Sequence, residues 1–155
     1  MKYLILPDIR SAYNVGAMFR TADGAGVSKV FLAGHSPCPI DRFGREQPEI
    51  KKTSLGASET VDWEFVSNLP QLIVDLRQKG VTVVAVEQSS ESIKIANFTV
   101  PDAVAYILGN EVDGVPENIQ QLCDVVVDIP MLGKKESLNV ATTAGIVLYH
   151  QLVSE

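Results

Sequence analysis

Three short segments carry the residue types that chemistry needs. In Leu108-Gly109-Asn110-Glu111-Val112-Asp113-Gly114-Val115-Pro116, an apolar run breaks into glycine, amide and carboxylate before a proline that can open a helix. Glycine lets backbone approach a flat ligand, and Glu111 can orient a hydroxyl or a cation; an ordinary turn with solvated acids explains the same residues. In Ile129-Pro130-Met131-Leu132-Gly133-Lys134-Lys135-Glu136-Ser137-Leu138-Asn139, an apolar run opens into a basic loop, and Ser137 can cap the helix that follows. A helix start offers free N–H groups and a positive dipole end to an anionic or electron-rich ligand. Ser137 acting only as a cap, and Lys134 with Lys135 as a solvated pair, are the plainer alternatives. The run GKKES lacks the leading glycine of a Walker phosphate loop. In Asn14-Val15-Gly16-Ala17-Met18-Phe19-Arg20-Thr21-Ala22-Asp23, Arg20 can grip a phosphate with a bidentate fork. Asn14 can hydrogen-bond a base, a sugar or Glu111. Taken singly, a capping asparagine and a surface arginine account for both.

These segments act together only if the fold gathers them. Tyr3 to Leu6 reads as a buried strand stopped by Pro7, and a helix fits from about Val15 to Ala25, with Asn14 as N-cap and Gly26 past its end. Val30 to Ala33 follows as a strand, and this β-loop-α-β order without a hairpin signal favours a parallel crossover. Gly34 to Pro48 has no periodicity and reads as a long loop that contacts substrate or partner. A short helix over Glu49 to Gly56, a strand fragment at Val61 to Trp63 and a helix over Leu69 to Lys79 closed by Gly80 come next. Thr82 to Val86, Ala103 to Leu108 and Val125 to Ile129 are β-branched strands ending in polar or glycine-rich loops, and Asn139 to Leu152 is the last helix. The sum is one α/β domain of five or six mostly parallel strands with helices on both faces, in which ligands sit outside the carboxyl ends of the strands.

Composition limits what such a domain does. With 155 residues and 46% hydrophobic content the chain supports one core and leaves little room for a second, so residues 1–155 are expected to form a single domain. No apolar stretch reaches membrane-spanning length and the N-terminus turns polar too early for a signal peptide, so a cytoplasmic protein away from membranes is expected. Cys38 and Cys123 make neither a disulfide framework nor a metal site, and no metal is expected. The net charge of -6 argues against a surface that grips phosphate throughout. The basic residues nevertheless cluster, as Arg10 with Arg20, Arg42 with Arg45, Lys51 with Lys52 and Lys134 with Lys135, which leaves room for a local basic face.

Taken together, NVGAMFR, LGNEVDGVP and IPMLGKKESLNVATTAGI resemble, in order and placement, the three motifs of the SPOUT-class RNA methyltransferases of the SpoU/TrmH type, over nearly the whole chain. The resemblance implies an α/β fold whose C-terminal segment is tied in a trefoil knot, pairing as a homodimer, with S-adenosylmethionine as cofactor. It places the cofactor against Glu87, Leu108, Gly109, Asn110, Ile129, Met131, Ser137 and Leu138. It implies transfer of a methyl group to a ribose 2′-hydroxyl, with Arg20, Asn14, Glu111, Ser137 and Asn139 as the catalytic set. In the family the residue matching Arg20 is proposed to remove the hydroxyl proton. A guanidinium is a poor base at neutral pH, so fixing the adjacent phosphate and stabilising charge on the attacking oxygen is an equally good role. Asn14, Glu111 and Asn139 are expected chiefly to hold loops and Arg20 in register, and Arg20 can serve a neighbouring protomer's pocket.

Arg10, Arg20, Arg42, Arg45, Lys134 and Lys135 are the expected RNA contacts. A transfer RNA is the favoured substrate and ribosomal RNA the next, with an accessory protein as a further source of RNA affinity. A non-catalytic α/β domain that binds nucleotide or RNA is the competing reading, against which the intact Arg20, Glu111 and Asn139 weigh. A base or protein methyltransferase is a third, against which Ser137-Leu138-Asn139 and Arg20 weigh.

Overall fold

The computed structural model describes residues 1–153 and shows a seven-stranded, wholly parallel sheet. In chain order the elements are β1 (Lys2–Pro7), α1 (Ala12–Gly24), β2 (Lys29–Ala33), α2 (Pro48–Ser54), α3 (Ala57–Thr60), β3 (Trp63–Val66), α4 (Leu69–Gln78), β4 (Thr82–Val86), β5 (Ile93–Lys94), β6 (Val104–Leu108), α5 (Glu117–Gln120), β7 (Val125–Asp128) and α6 (Val140–Tyr149). The strand order is β3-β2-β1-β6-β4-β7-β5.

Alternation along the central strands supplies both faces of this sheet. Leu4, Leu6, Val84, Val86, Val104, Tyr106 and Leu108 point into one core with Val15, Met18 and Phe19 of α1 and Ala144, Val147 and Leu148 of α6. Ile5, Val83, Ala85, Ala105 and Ile107 point the other way, against Ile73 and Leu76 of α4 and Ile119 of α5. Strands buried on both sides cannot alternate with polar residues, which is why they read as continuous apolar runs. The Lys2 ammonium donates to the Leu148 carbonyl at 2.9 Å, near the end of α6, and burial lowers its pKa. There it meets the negative end of a helix dipole.

Local chemistry shifts several boundaries. Ser11, not Asn14, caps α1: its Oγ accepts from the Asn14 N–H at 3.1 Å, so the helix begins a turn earlier than its apolar spacing indicates. Asn139, not Ser137, caps α6, its side chain accepting from the Ala141 N–H at 2.8 Å. The third strand starts at Trp63 rather than Val61, because Val61 is buried at the end of α3 and Trp63 is the residue in register with Val30. α2 stops at Ser54, where Leu55 and Gly56 both turn left-handed. β5 has no propensity signal; Asp128, 5% exposed, draws it in by accepting from Ser92 Oγ at 2.6 Å and Lys94 Nζ at 3.0 Å.

Candidate active site

Because every strand is parallel, the loops after β1, β2, β4, β6 and β7 leave from one edge of the sheet. The strands that open the cavity, β4, β6 and β7, end at Val86, Leu108 and Asp128. A cavity of about 800 Å³ lies there, within the usual size of small-molecule sites. Glu87, Leu108, Gly109, Asn110, Ile129, Met131, Ser137 and Leu138 all line it, as do Glu111 and Asn139. Segments that begin at Glu87, Leu108 and Ile129 thus converge on one space. The lining includes the carboxylates Glu87, Glu111, Asp113 and Glu136 and no basic residue, so the site favours a ligand carrying positive charge.

The loop after β6 is built tightly. Asn110 Oδ1 accepts from the Val112 N–H at 2.9 Å and the Asp113 N–H at 2.6 Å, and Asn110 pairs with Gly114 across the turn. A side-chain carbon on Gly109 would come within 2.6 Å of Gly114 Cα and 2.7 Å of the Val115 nitrogen. Gly114 is left-handed, and a side chain there would strike Glu87. Glu87 in turn accepts from the Val115 N–H at 2.9 Å with one oxygen and from the Gln88 N–H at 2.8 Å with the other. The Asn110 amide oxygen and both Glu87 oxygens are therefore occupied in shaping the wall.

Glu111 joins this loop to the first motif. Its Oε2 accepts from the Arg10 N–H at 3.1 Å, at the start of α1. Partial burial raises its pKa, but hydrogen bonds from the Arg10 and Ser11 backbone and the Asn14 side chain outweigh this and hold it below the ordinary carboxylate value. The structure thus brings Asn14 to Glu111. Arg20 it does not bring: it sits nine residues beyond Ser11 on α1, about 13 Å along the axis, is exposed, and is absent from the cavity lining. Gly16 serves packing, since a side chain there would overlap Thr53 and meet the Ile50 carbonyl at 2.7 Å, where α2 crosses α1.

The loop from Ile129 to Asn139 closes the cavity. Met131 and Leu138 are half-buried, Ser137 is exposed to the space, and Lys134 and Lys135 face solvent, as does Arg10. Arg42 and Arg45 lie on the loop after β2, Arg45 Nε bonded to Asp41 at 2.9 Å. Sequence reading missed Gln88, Gln120 and Thr143 in the lining. Thr143 lies one helical turn beyond Asn139 and Gln88 adjoins Glu87, so both were within reach of a spacing argument. Gln120, which donates to the Val115 carbonyl at 2.7 Å, had no such signal. Among the described residues no cluster of histidine, cysteine and acids suits a metal, and no helix is long and apolar enough to cross a membrane.

A parallel α/β domain with an acidic cavity of small-molecule size at the carboxyl ends of its central strands defines a ligand-binding architecture. Residues 1–149 match the SpoU rRNA Methylase family, and the chain belongs to that family. It is 37% identical over 145 residues, 94% of its length, to the 23S rRNA (guanosine-2'-O-)-methyltransferase RlmB of Neisseria meningitidis serogroup B, covering 55% of that relative. The corresponding protein of Ralstonia nicotianae is 33% identical, with 94% of this chain and 56% of the relative covered. The chain therefore spans about half the length of these curated relatives. The AdoMet-bound rRNA methyltransferase from Sinorhizobium meliloti superposes with a TM-score of 0.87 at 27% identity, over 99% of this chain and 56% of that one. The TrmH/SpoU tRNA modifying enzyme of A. aeolicus gives 0.83 at 26%, over 96% and 72%.

Proposed function

We propose that the chain is an S-adenosylmethionine-dependent RNA 2′-O-ribose methyltransferase acting through one domain, residues 1–155. The observation that carries this reading is the cavity: its size, its acidic lining and its convergence of all three late loops fit a nucleoside-sized cation. Leu108, Gly109, Ile129, Met131 and Leu138 would hold the cofactor by backbone and apolar contact, and the surrounding carboxylates would favour its sulfonium over the neutral product. The bound cofactor supplies an activated methyl group for transfer to a ribose oxygen.

The chain's own residues divide the remaining work. Glu87 and Asn110 shape the wall, Glu111 ties it to α1, and Asn139 sets the start of α6. Arg20 lies outside its own chain's cavity, which supports a homodimer in which it faces the partner's pocket, anchoring a phosphate and stabilising charge on the attacking oxygen. The knotted passage implied by the motifs would be the segment from Ile129 to Asn139. Arg10, Arg42, Arg45, Lys134 and Lys135 supply the RNA-facing charge, with an accessory protein as a further source of affinity for so acidic a chain. The names of the curated relatives favour ribosomal over transfer RNA as substrate, reversing the order expected from sequence.

Calorimetry of the protein against S-adenosylmethionine and its demethylated product tests the cavity, and mapping of ribose methylation in ribosomal and transfer RNA from a deletion strain tests the substrate. Micromolar or tighter cofactor binding and a methylation site lost on deletion are expected. Absence of cofactor binding, with and without RNA, sinks the enzyme reading and favours a non-catalytic RNA-binding domain.

A further inference from the structure

The loop between β2 and α2 is ordered where its sequence reads as irregular. Ile40 pairs antiparallel with Glu46, the Gln47 N–H donates to the Pro39 carbonyl at 2.9 Å, and the Asp41 N–H to the Arg45 carbonyl at 2.9 Å. The Asp41 carboxylate fastens the tip, accepting from the Phe43 N–H at 2.8 Å, the Arg45 N–H at 3.0 Å and Arg45 Nε at 2.9 Å. On this small hairpin Phe43 is 67% exposed and belongs to neither core cluster. The guanidinium carbons of Arg42 and Arg45 lie 4.8 and 5.0 Å from its ring centroid.

Folding gains little from an aromatic ring held in water, and a tip so fully hydrogen-bonded presents it at low entropic cost. The hairpin leaves the same edge of the sheet as the cavity. β2 is two strands from β6, about 10 Å away, with Arg10 on the loop between them. From this geometry we propose that Phe43 is a stacking platform for an unpaired base of the RNA, close to the nucleotide whose ribose enters the cavity, with Arg42 and Arg45 engaging the flanking phosphates. The proposal rests on RNA being the substrate. It specifies a single-stranded element, because duplex bases are already stacked and offer no free face.

The test measures fluorescence anisotropy with a labelled oligouridylate of about 15 nucleotides and with its duplex with oligoadenylate, over a range of salt. Phe43→Ala should weaken binding of the single strand about tenfold at every salt concentration, leave the salt slope unchanged, and barely alter duplex binding. Phe43→Trp should restore affinity. Arg42→Ala and Arg45→Ala should each flatten the slope by about 0.7. Wild-type affinity in Phe43→Ala, equal losses on single strand and duplex, or no binding of oligouridylate by the wild type would overturn the proposal; equal losses would point to a contact with the RNA backbone, and the other two to a protein partner for the tip. Cofactor calorimetry on the same preparations keeps the two readings apart, since its failure bears on the cavity alone.

Discussion

Gly16 tests whether the first motif's glycine is there for packing rather than for a ligand. A methyl group at this position would overlap Thr53 Oγ1 and come within 2.7 Å of the Ile50 carbonyl oxygen and 3.0 Å of Ile50 Cα. In an open helix glycine to alanine gains about 1 kcal/mol. Here Thr53 can turn aside only by giving up the hydrogen bond of its single hydroxyl proton, shared between the Tyr13 carbonyl at 2.9 Å and the Glu49 carbonyl at 3.0 Å, which costs about 1 kcal/mol. The Ile50 backbone, in a fully buried residue, moves only if α1 and α2 separate, and overpacking of that kind costs about 1–3 kcal/mol. The costs exceed the gain, so Gly16→Ala should lose about 1–3 kcal/mol, a fall in Tm of roughly 2–12 °C. Urea denaturation followed by circular dichroism, with thermal melting alongside, measures this. Adding Thr53→Ala should recover part of the loss through a coupling of at least about 0.5 kcal/mol, because the side-chain overlap is relieved while the Ile50 contact remains. Stability of Gly16→Ala at or above wild type, or strict additivity in the double variant, would refute the packing argument.

Glu111 is held below the ordinary carboxylate value of 4.5, so its charged form stabilises the fold above that pH and the contribution is lost as pH falls through the depressed value. Glu111→Gln should therefore show a flatter decline in stability on acidification below about pH 4.5, and an unchanged pH profile would show that the tie to α1 contributes nothing. Asn139→Ala should cost about 1 kcal/mol through loss of the α6 cap, whereas Ser137→Ala should leave stability within about 0.5 kcal/mol of wild type; equal losses in denaturation would return capping to Ser137. Arg20→Ala should abolish methyl transfer with cofactor binding nearly intact, and co-expression with a Gly109→Val pocket variant should restore transfer through mixed dimers. Loss of cofactor binding in Arg20→Ala, or no complementation, would place Arg20 elsewhere in the mechanism.

The central sheet was legible because its strands are buried on both faces. Val83 to Val86 and Val104 to Leu108 have no solvent side, so their composition alone marks them. Short edge elements were not: two-residue β5 exists through Asp128, Ser92 and Lys94, contacts that span 34 to 36 residues and leave no local signature. Helix starts were misread wherever two capping residues stood near each other. Both Ser11 and Asn14 can cap, and both Ser137 and Asn139; the choice depends on where the preceding loop must run, which local propensity does not encode. Motif resemblance, rather than spacing, singled out residues such as Glu87, Gly109, Ile129 and Leu138 that line the cavity. It did not single out Gln88, Thr143 or Gln120, the last brought in by a helix that no motif includes. Nor did the pattern of residues 34–48 reveal the hairpin, whose order comes from one aspartate bonded across its tip.

The position of β1 bears on how the chain folds as it is made. Lys2 is in register with Val104 and its ammonium reaches Leu148, so the first strand's second neighbour and its helix-end partner are synthesised about a hundred residues or more after it. Until then β1 has only β2 to pair with and shows an unpaired edge to whatever else is present. Contacts so distant along the chain close late, because loop entropy is lost before they form, which is why long-range parallel pairing is slow in general. Completion of the cavity is tied to the same event, since α6 and the loop before it supply its last wall. Ligand binding would therefore report on the end of folding rather than on any earlier stage.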